Sequence, residues 1–155
     1  MRVRVANGIE RAQAADILKQ RWGEPVVARA RIYLFEDCQM FLAGDMDGIA
    51  AVSHDEPPFV ELVAINAFSQ WKGVGSALIE AIALSASALG FEAIRLTTTN
   101  DNVDGLRFYQ RRGFQLTALR PGAVDESRRL KPTLPMTGQH GIPIHDELDL
   151  VRSLR

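Results

Sequence analysis

A single cysteine, Cys38, is the only thiol in 155 residues, and one thiol excludes an intrachain disulfide. It suits a reducing compartment, so a cytoplasmic location is expected, with Cys38 as a small buried apolar group rather than a nucleophile. Long apolar runs are also absent. No stretch reaches the ~18 uncharged apolar residues of a membrane span, and the opening MRVRVANGIERAQ lacks the apolar run of a signal peptide. No membrane partner is therefore expected. Net charge is small too: 18 Lys and Arg against 19 Asp and Glu leave −1, with a pI near 6.3. That argues against a broad nucleic-acid surface. There is no internal repeat and no long low-complexity segment. Two familiar phosphate loops are missing: G-x-x-x-x-G-K-[ST] does not occur, and G-x-G-x-x-G fails because Leu78 stands where the third glycine belongs.

What is present suits one globular domain over residues 1–155, since 46% of the residues are hydrophobic and the length allows a substantial core. Val3 and Val5 alternate with Arg2 and Arg4 in a short first strand. Ile9 to Trp22 reads as a helix with Ala14, Ile17, Leu18 and Trp22 on one side, closed by Gly23 and Pro25. Val26 to Phe35 is ambiguous between a strand and a loop over an active site. Met40–Ala43 and Ile49–His54 form a hairpin about Gly44-Asp45-Met46-Asp47-Gly48. Pro57-Pro58 separates it from the next strand. Further strands are expected over Phe91–Thr98, Phe114–Leu119 and Ile144–Val151, the last with Ile144, Leu148 and Leu150 alternating with His145, Glu147 and Asp149. A helix is expected over Val103–Arg112 with Gly113 as its cap, and a short one over Ala123–Leu130. The pattern is an α/β sandwich with a mixed sheet.

The chain is organised around Glu61–Leu89. Glu61–Ala67 suits a strand. Val74, Leu78, Ala81, Ile82, Ser85 and Leu89 then recur with helical period. Between them, Gln70-Trp71-Lys72-Gly73-Val74-Gly75 places glycines where a helix must start. The first helical N–H groups lack intrahelical partners and carry partial positive charge, and glycine lets a phosphate approach the backbone. An ordinary strand-to-helix turn would use the same glycines. The stretch fits Q/R-x-x-G-x-G/A through Gln70, Gly73 and Gly75. It resembles the acetyl-CoA signature of the GCN5-related N-acetyltransferases (GNAT).

A second stretch, Asn102-Val-Asp-Gly-Leu-Arg-Phe108-Tyr109-Gln-Arg-Arg-Gly113-Phe114, resembles that family's N-x-x-A-x-x-F-Y-x-x-x-G-F and follows the first motif after one strand, as in the family. Arg129-Leu-Lys-Pro132 and Gly141-Ile-Pro-Ile144-His-Asp-Glu147 look like the C-termini of small bacterial-type members. The resemblance implies a mixed, mostly antiparallel central sheet flanked by helices, with a splayed strand pair binding acetyl-CoA. The backbone of Leu62, Val63, Ala64 and Ile65 would pair with the pantetheine amides. Gln70, Trp71, Lys72, Gly73, Val74, Gly75 and Ser76 would surround the pyrophosphate, and Asn102 would bond the pantetheine arm. Tyr109 is the candidate general acid for the leaving sulfur, and Glu61 the candidate general base, directly or through a water. His54 is an alternative base.

Structural alternatives stand beside these roles: an N-cap for Asn102, a core aromatic for Tyr109, an exposed strand-edge charge for Glu61. His140, His145, Asp146 and Glu147 match no recognised ligand spacing, so no metal is expected. Arg128, Arg129 and Lys131 read as a solvated basic face. Gly105 departs from the family's Ala, at a cost of ~1 kcal/mol in a helix interior. The expected partner is a small-molecule or protein amine acceptor, with a homodimer by family analogy. The competing readings are a non-catalytic acyl-CoA-binding or sensing module on the same fold, and an interaction domain with a vestigial cofactor loop.

Overall fold

A computed structural model of the chain describes residues 2–68 and 73–155, so Gln70, Trp71 and Lys72 lie outside the described residues. In chain order the elements are β1 (Val3–Val5), α1 (Gly8–Trp22), β2 (Val26–Ala28), β3 (Arg31–Tyr33), β4 (Gln39–Ala43), β5 (Gly48–Glu56), β6 (Phe59–Ala67), α2 (Val74–Ala88), β7 (Ala93–Thr99), α3 (Val103–Gln110), β8 (Gln115–Arg120), α4 (Ala123–Leu130) and β9 (Glu147–Ser153). They fall into two compact units: Met1–Val26, Tyr33–Ile94 and Leu154–Arg155 in one, Val27–Ile32 and Arg95–Ser153 in the other.

In the first unit β1, β4, β5 and β6 lie side by side in that order, each antiparallel to its neighbour. Strand alternation divides the side chains between two faces. One face carries Met40, Leu42, Ile49, Ala51 and Ala64, packed with Ala14, Ala15 and Leu18 of α1 and with Phe35. Asn7 caps α1 by accepting from the Glu10 amide, and Gly23 closes it at φ 72°. Trp22, expected on the buried side, is 48% exposed. Helix α2 packs on β4, β5 and β6, burying Val74, Leu78, Ile79, Ile82, Ala83 and Ala86. Its stripe is turned from the one expected, and Leu89 is exposed. Pro57-Pro58 stands between β5 and β6 as expected, and because Glu56 pairs with Phe59 the two prolines form the turn of a β5–β6 hairpin. No helix among the described residues is long and apolar enough to cross a membrane.

Cys38 is buried, and desolvation, with Asp37 nearby, pushes its thiol up to about 12. A thiol-disulfide reagent at pH 8 is therefore expected to leave Cys38 unmodified in the native protein and to label it on unfolding, because only the thiolate reacts. Stability follows with a definite sign. The unfolded thiol ionises near 8.5, so the protonated form's preference for the fold is fully present below that pH and is lost as pH rises toward 12.

In the second unit β9 lies between β7 and β8, and β8 and β9 are antiparallel. Within the ambiguous Val26–Phe35 segment, Val26–Ala28 and Arg31–Tyr33 form a two-stranded hairpin, β2 and β3, turning on Arg29 and Ala30 at φ 52° and 60°, and Phe35 begins the 3-10 turn that follows. Two successive left-handed residues match the twist of a tight hairpin turn, although neither is glycine. The last strand begins three residues later than expected, at Glu147. Residues from Leu134 to Asp146 form a loop tied by Ile144 N–H to the Met136 carbonyl and Gly138 N–H to the Ile142 carbonyl.

Candidate active site

β6 departs from regular pairing where the sequence placed the cofactor arm. Ala51 stands opposite Ala64, but Val52 stands opposite Leu62, so Val63 is an extra residue. Such a bulge bends the strand and re-aims its side chains. Both Ala64 and Val63 meet the cluster against α1. Beyond the bulge Glu61 pairs with Ser53, and cross-strand partners share a face. Glu61 therefore joins the α1 face, which regular alternation from Ala64 would have denied it. It is 2% exposed. The exposed strand-edge reading of Glu61 is thus overturned. His54, the alternative base, lies tilted against Phe91 with ring centroids 5.3 Å apart.

α2 begins directly after Gly73, which adopts φ 100°, and the first helical bond runs from Ala77 N–H to the Gly73 carbonyl. A Cβ at Gly73 would meet nothing within 4 Å among the described residues, so its glycine is needed for the backbone angle. The helix start is held down at Val74, which packs over Gly48. A Cβ on Gly48 would lie 2.5 Å from Val74 Cγ1 and 3.1 Å from Leu78 Cδ1. Gly75 and Ser76 follow in the first turn of α2, where helix N–H groups and dipole favour an anion.

In the second unit Asn102 is the N-cap of α3. Its Oδ1 accepts from Gly105 N–H at 3.1 Å and from Gln139 Nε2 at 3.3 Å, while its Nδ2 donates to Thr98 Oγ1 at 2.9 Å. Gly113, at φ 90°, ends the helical segment. Phe114 N–H donates to the Tyr109 carbonyl, a closure of the kind that satisfies helix C-terminal carbonyls. It brings Phe114 beside Tyr109. The Tyr109 ring meets Phe108 and Phe114 edge-on, with centroids 5.3 and 5.6 Å away. Tyr109 as a whole residue keeps some solvent access, but packing around the phenol pushes it up to about 12. No hydrogen bond engages its hydroxyl among the described residues.

A family model described as "Acetyltransferase (GNAT) family" matches residues 13–114. The chain belongs to the GNAT family. The YdhI protein of Bacillus subtilis (strain 168) is 32% identical over 153 residues, covering 92% of this chain and 91% of that one. Among solved structures, a Bacillus subtilis acetyltransferase in complex with CoA superposes with a TM-score of 0.70 at 22% identity, over 99% of each chain. A GNAT family acetyltransferase from Elizabethkingia anophelis with acetyl-CoA bound gives 0.73 at 17% identity, over 98% of this chain and 97% of that one. The fold is thus that of the family: mixed α/β, with mostly antiparallel strands flanked by helices.

One departure from the GNAT pattern has a structural reason. Gly105 replaces the family's Ala, and a Cβ there would collide with the Asn102 amide, 2.6 Å from its Cγ. A methyl there requires the Asn102 side chain to shift from its cap position. Gly105→Ala is therefore expected to fall short of the gain of about 1 kcal/mol that helix propensity alone predicts; thermal unfolding checks it.

Other features escaped the sequence reading. Glu147 and Asp149, expected on a polar face, are 3% and 7% exposed. Arg120 grips Asp149 with both terminal nitrogens, at 2.7 and 2.6 Å, and reaches Glu147 with Nε at 3.1 Å. Arg29 donates to Thr97, which donates to Asp149, each at 2.6 Å. Arg120 and Thr97 hold the Asp149 carboxyl below its ordinary value against desolvation. β9 is flanked on both sides, so its charges are buried and must be paired. Arg128 is likewise no solvated cation: its guanidinium bonds Asp125 and the carbonyls of Pro135 and Ile144. His140 and His145 are each met by one carboxylate, Asp104 at 3.0 Å and Asp146 at 2.7 Å. In the first unit an open cleft of about 770 Å³ is lined by Ile17, Gln20, Arg21, Trp22, Asn66 and Phe68. Arg21 lies 5.5 Å from the Phe68 ring centroid.

Proposed function

We propose that the chain is an N-acetyltransferase that transfers the acetyl group of acetyl-CoA directly to an amine. One observation carries the reading: Tyr109 offers a desolvated phenol with no hydrogen-bond partner among the described residues. Among the described residues that hydroxyl is left available as a proton donor. Acetyl-CoA would supply an acyl group activated as a thioester. The glycine-bearing start of α2 fits its pyrophosphate, with Gly73, Val74, Gly75 and Ser76 offering backbone amides. The bulged stretch Leu62–Ile65 would present backbone groups to the pantetheine amides, and Asn102 would bond the same arm.

In the transfer, the amine nitrogen forms a bond to the thioester carbonyl carbon and the carbon–sulfur bond breaks. Glu61 takes the proton shed by the nitrogen, directly or through a water. Tyr109 gives its proton to the departing sulfur and recovers one from solvent. The acceptor class is a small-molecule or protein amine. Glu61→Gln, which keeps the shape and removes the base, is expected to abolish the acidic limb of the kcat/KM–pH profile and lower neutral-pH turnover about 10²-fold or more. An unchanged profile removes Glu61 from that role.

The reading itself is tested by calorimetric titration of acetyl-CoA and free CoA into the protein, with Gly75→Glu as control, followed by a thiol-release assay across an amine panel. Saturable binding lost in Gly75→Glu, with turnover on an amine, is the expected result. Tight binding without turnover on any amine favours a sensing module. No binding to the folded protein overturns the cofactor assignment.

A further inference from the structure

Three consecutive side chains at the end of β7 reach for the loop between α4 and β9. Asn100 accepts from His145 N–H and Asp146 N–H, both at 3.0 Å, and donates to the Pro143 carbonyl at 2.8 Å. Asp101, 4% exposed, accepts from the Thr99 hydroxyl and from Gln139 N–H at 3.0 Å. Asn102 accepts from the Gln139 side chain. The loop seats so closely that Gly138 has no space for a side chain: a Cβ would lie 2.6 Å from Asp101 Cγ and 2.8 Å from Ile144 Cδ1. A buried carboxylate with two donors, under a glycine that admits no methyl, is a fixed docking point rather than a passing contact.

The bonds of Asn102 give this docking a consequence. Its Oδ1 has two acceptor sites, filled by Gly105 N–H and Gln139 Nε2. One Nδ2 hydrogen goes to Thr98. What remains is a single N–H. With Gly105 as the only donor, a flipped amide would oppose one donor with its NH₂. With Gln139 present it would oppose two.

We infer that the loop Met136–Asp146 is a latch that positions Asn102, with Gln139 as its positioning residue, so that Asn102 meets a ligand only as a hydrogen-bond donor. The group it addresses is then an acceptor, such as an amide carbonyl. This rests on the reading of Asn102 as a cofactor contact.

The test compares wild type with Gly138→Ala, Gln139→Glu, Gln139→Lys and, as a control on the same loop, Met136→Ala; Met136 is 69% exposed. Gln139→Glu places an acceptor beside Oδ1, whereas Gln139→Lys keeps a donor there. Two quantities are read. The first is the Asn102 side-chain amide pair in a ¹⁵N–¹H spectrum, assigned by its loss in Asn102→Asp. The second is acetyl-CoA binding and turnover. The Asn102 pair is expected to move in Gly138→Ala and Gln139→Glu and to stay in Gln139→Lys and Met136→Ala. Acetyl-CoA affinity should follow the same division, weaker by about tenfold in the first two, with KM raised and kcat at saturation within about twofold. Gln139 is exposed, so its variants test the latch even if Gly138→Ala does not fold. An unmoved Asn102 pair in Gln139→Glu, unchanged affinity there, or equal losses in Gln139→Lys and Gln139→Glu overturn the inference while wild-type binding stands. Wild-type protein that is folded but binds no acetyl-CoA overturns the cofactor reading and this inference with it.

Discussion

Tyr109→Phe is expected to lower kcat by about 10²–10⁴-fold while leaving the KM for acetyl-CoA nearly unchanged. The substitution deletes one oxygen from a ring held between Phe108 and Phe114, so the packing survives. It leaves no buried partner orphaned, because the hydroxyl has none among the described residues. Stability is therefore expected to be unchanged or slightly higher, which separates a chemical loss from a folding loss. Steady-state kinetics beside thermal unfolding makes the measurement, and full turnover at saturating acetyl-CoA would remove the acid role. The raised phenol also fixes a pH signature. A tyrosine at about 12 remains protonated across the working range, so it supplies no alkaline limb below pH 11. Its contribution to stability is complete below the unfolded value of about 10 and declines as pH rises above it. Ultraviolet titration should show one tyrosine ionising late or only on unfolding.

Gly48→Val should produce the largest loss of stability, about 1–3 kcal/mol, or a midpoint lower by about 3–10 °C. The first added carbon would already stand 2.5 Å from Val74 Cγ1 and 3.4 Å from the Asn66 carbonyl oxygen. The two branches of valine would have to displace the start of α2. Backbone tolerance is not the issue, since valine suits a strand; the cost is overpacking between sheet and helix. Gly8→Ala provides the contrast. It stands at the start of α1 with nothing within 4 Å of its Cβ position, and is expected to be neutral or to stabilise by about 0.4–1 kcal/mol. Because Val74 opens the helix proposed to meet the pyrophosphate, Gly48→Val should also weaken acetyl-CoA binding under conditions where it remains folded. Equal midpoints for the two glycine variants would show that the helix start is not held by this contact.

Periodicity and punctuation settled most of the fold. The 3.6-residue recurrence after Val74, the glycine stops at Gly23 and Gly113, and the turn residues between Ala43 and Gly48 are local signals, and local signals survive in a single sequence. The two motifs identified the GNAT family for the same reason: both are contiguous. Other features depend on contacts distant in the chain. Arg29 is tied to Glu147 and Thr97, and Arg120 to Asp149, across 29 residues or more. Alternation alone therefore set Glu147 and Asp149 apart from the apolar residues without showing that they are buried.

Glu61 marks the boundary between the two kinds of information. Its resemblance to the family's pattern made it a candidate base. Which face it occupies is set by the extra residue at Val63, and a bulge is a property of the register between two strands rather than of either strand's sequence. Gly105 marks it again. In a helix pattern it reads as a weakness, and only the Asn102 side chain folded over it shows that a methyl group there would displace the cap. The sequence by itself determined the order of elements outside Val26–Phe35, the family and the residue types available for chemistry. The tertiary structure decided which faces they share, which charges are buried in pairs, and that the C-terminal loop closes on Asn102, because each depends on side chains brought together by folding.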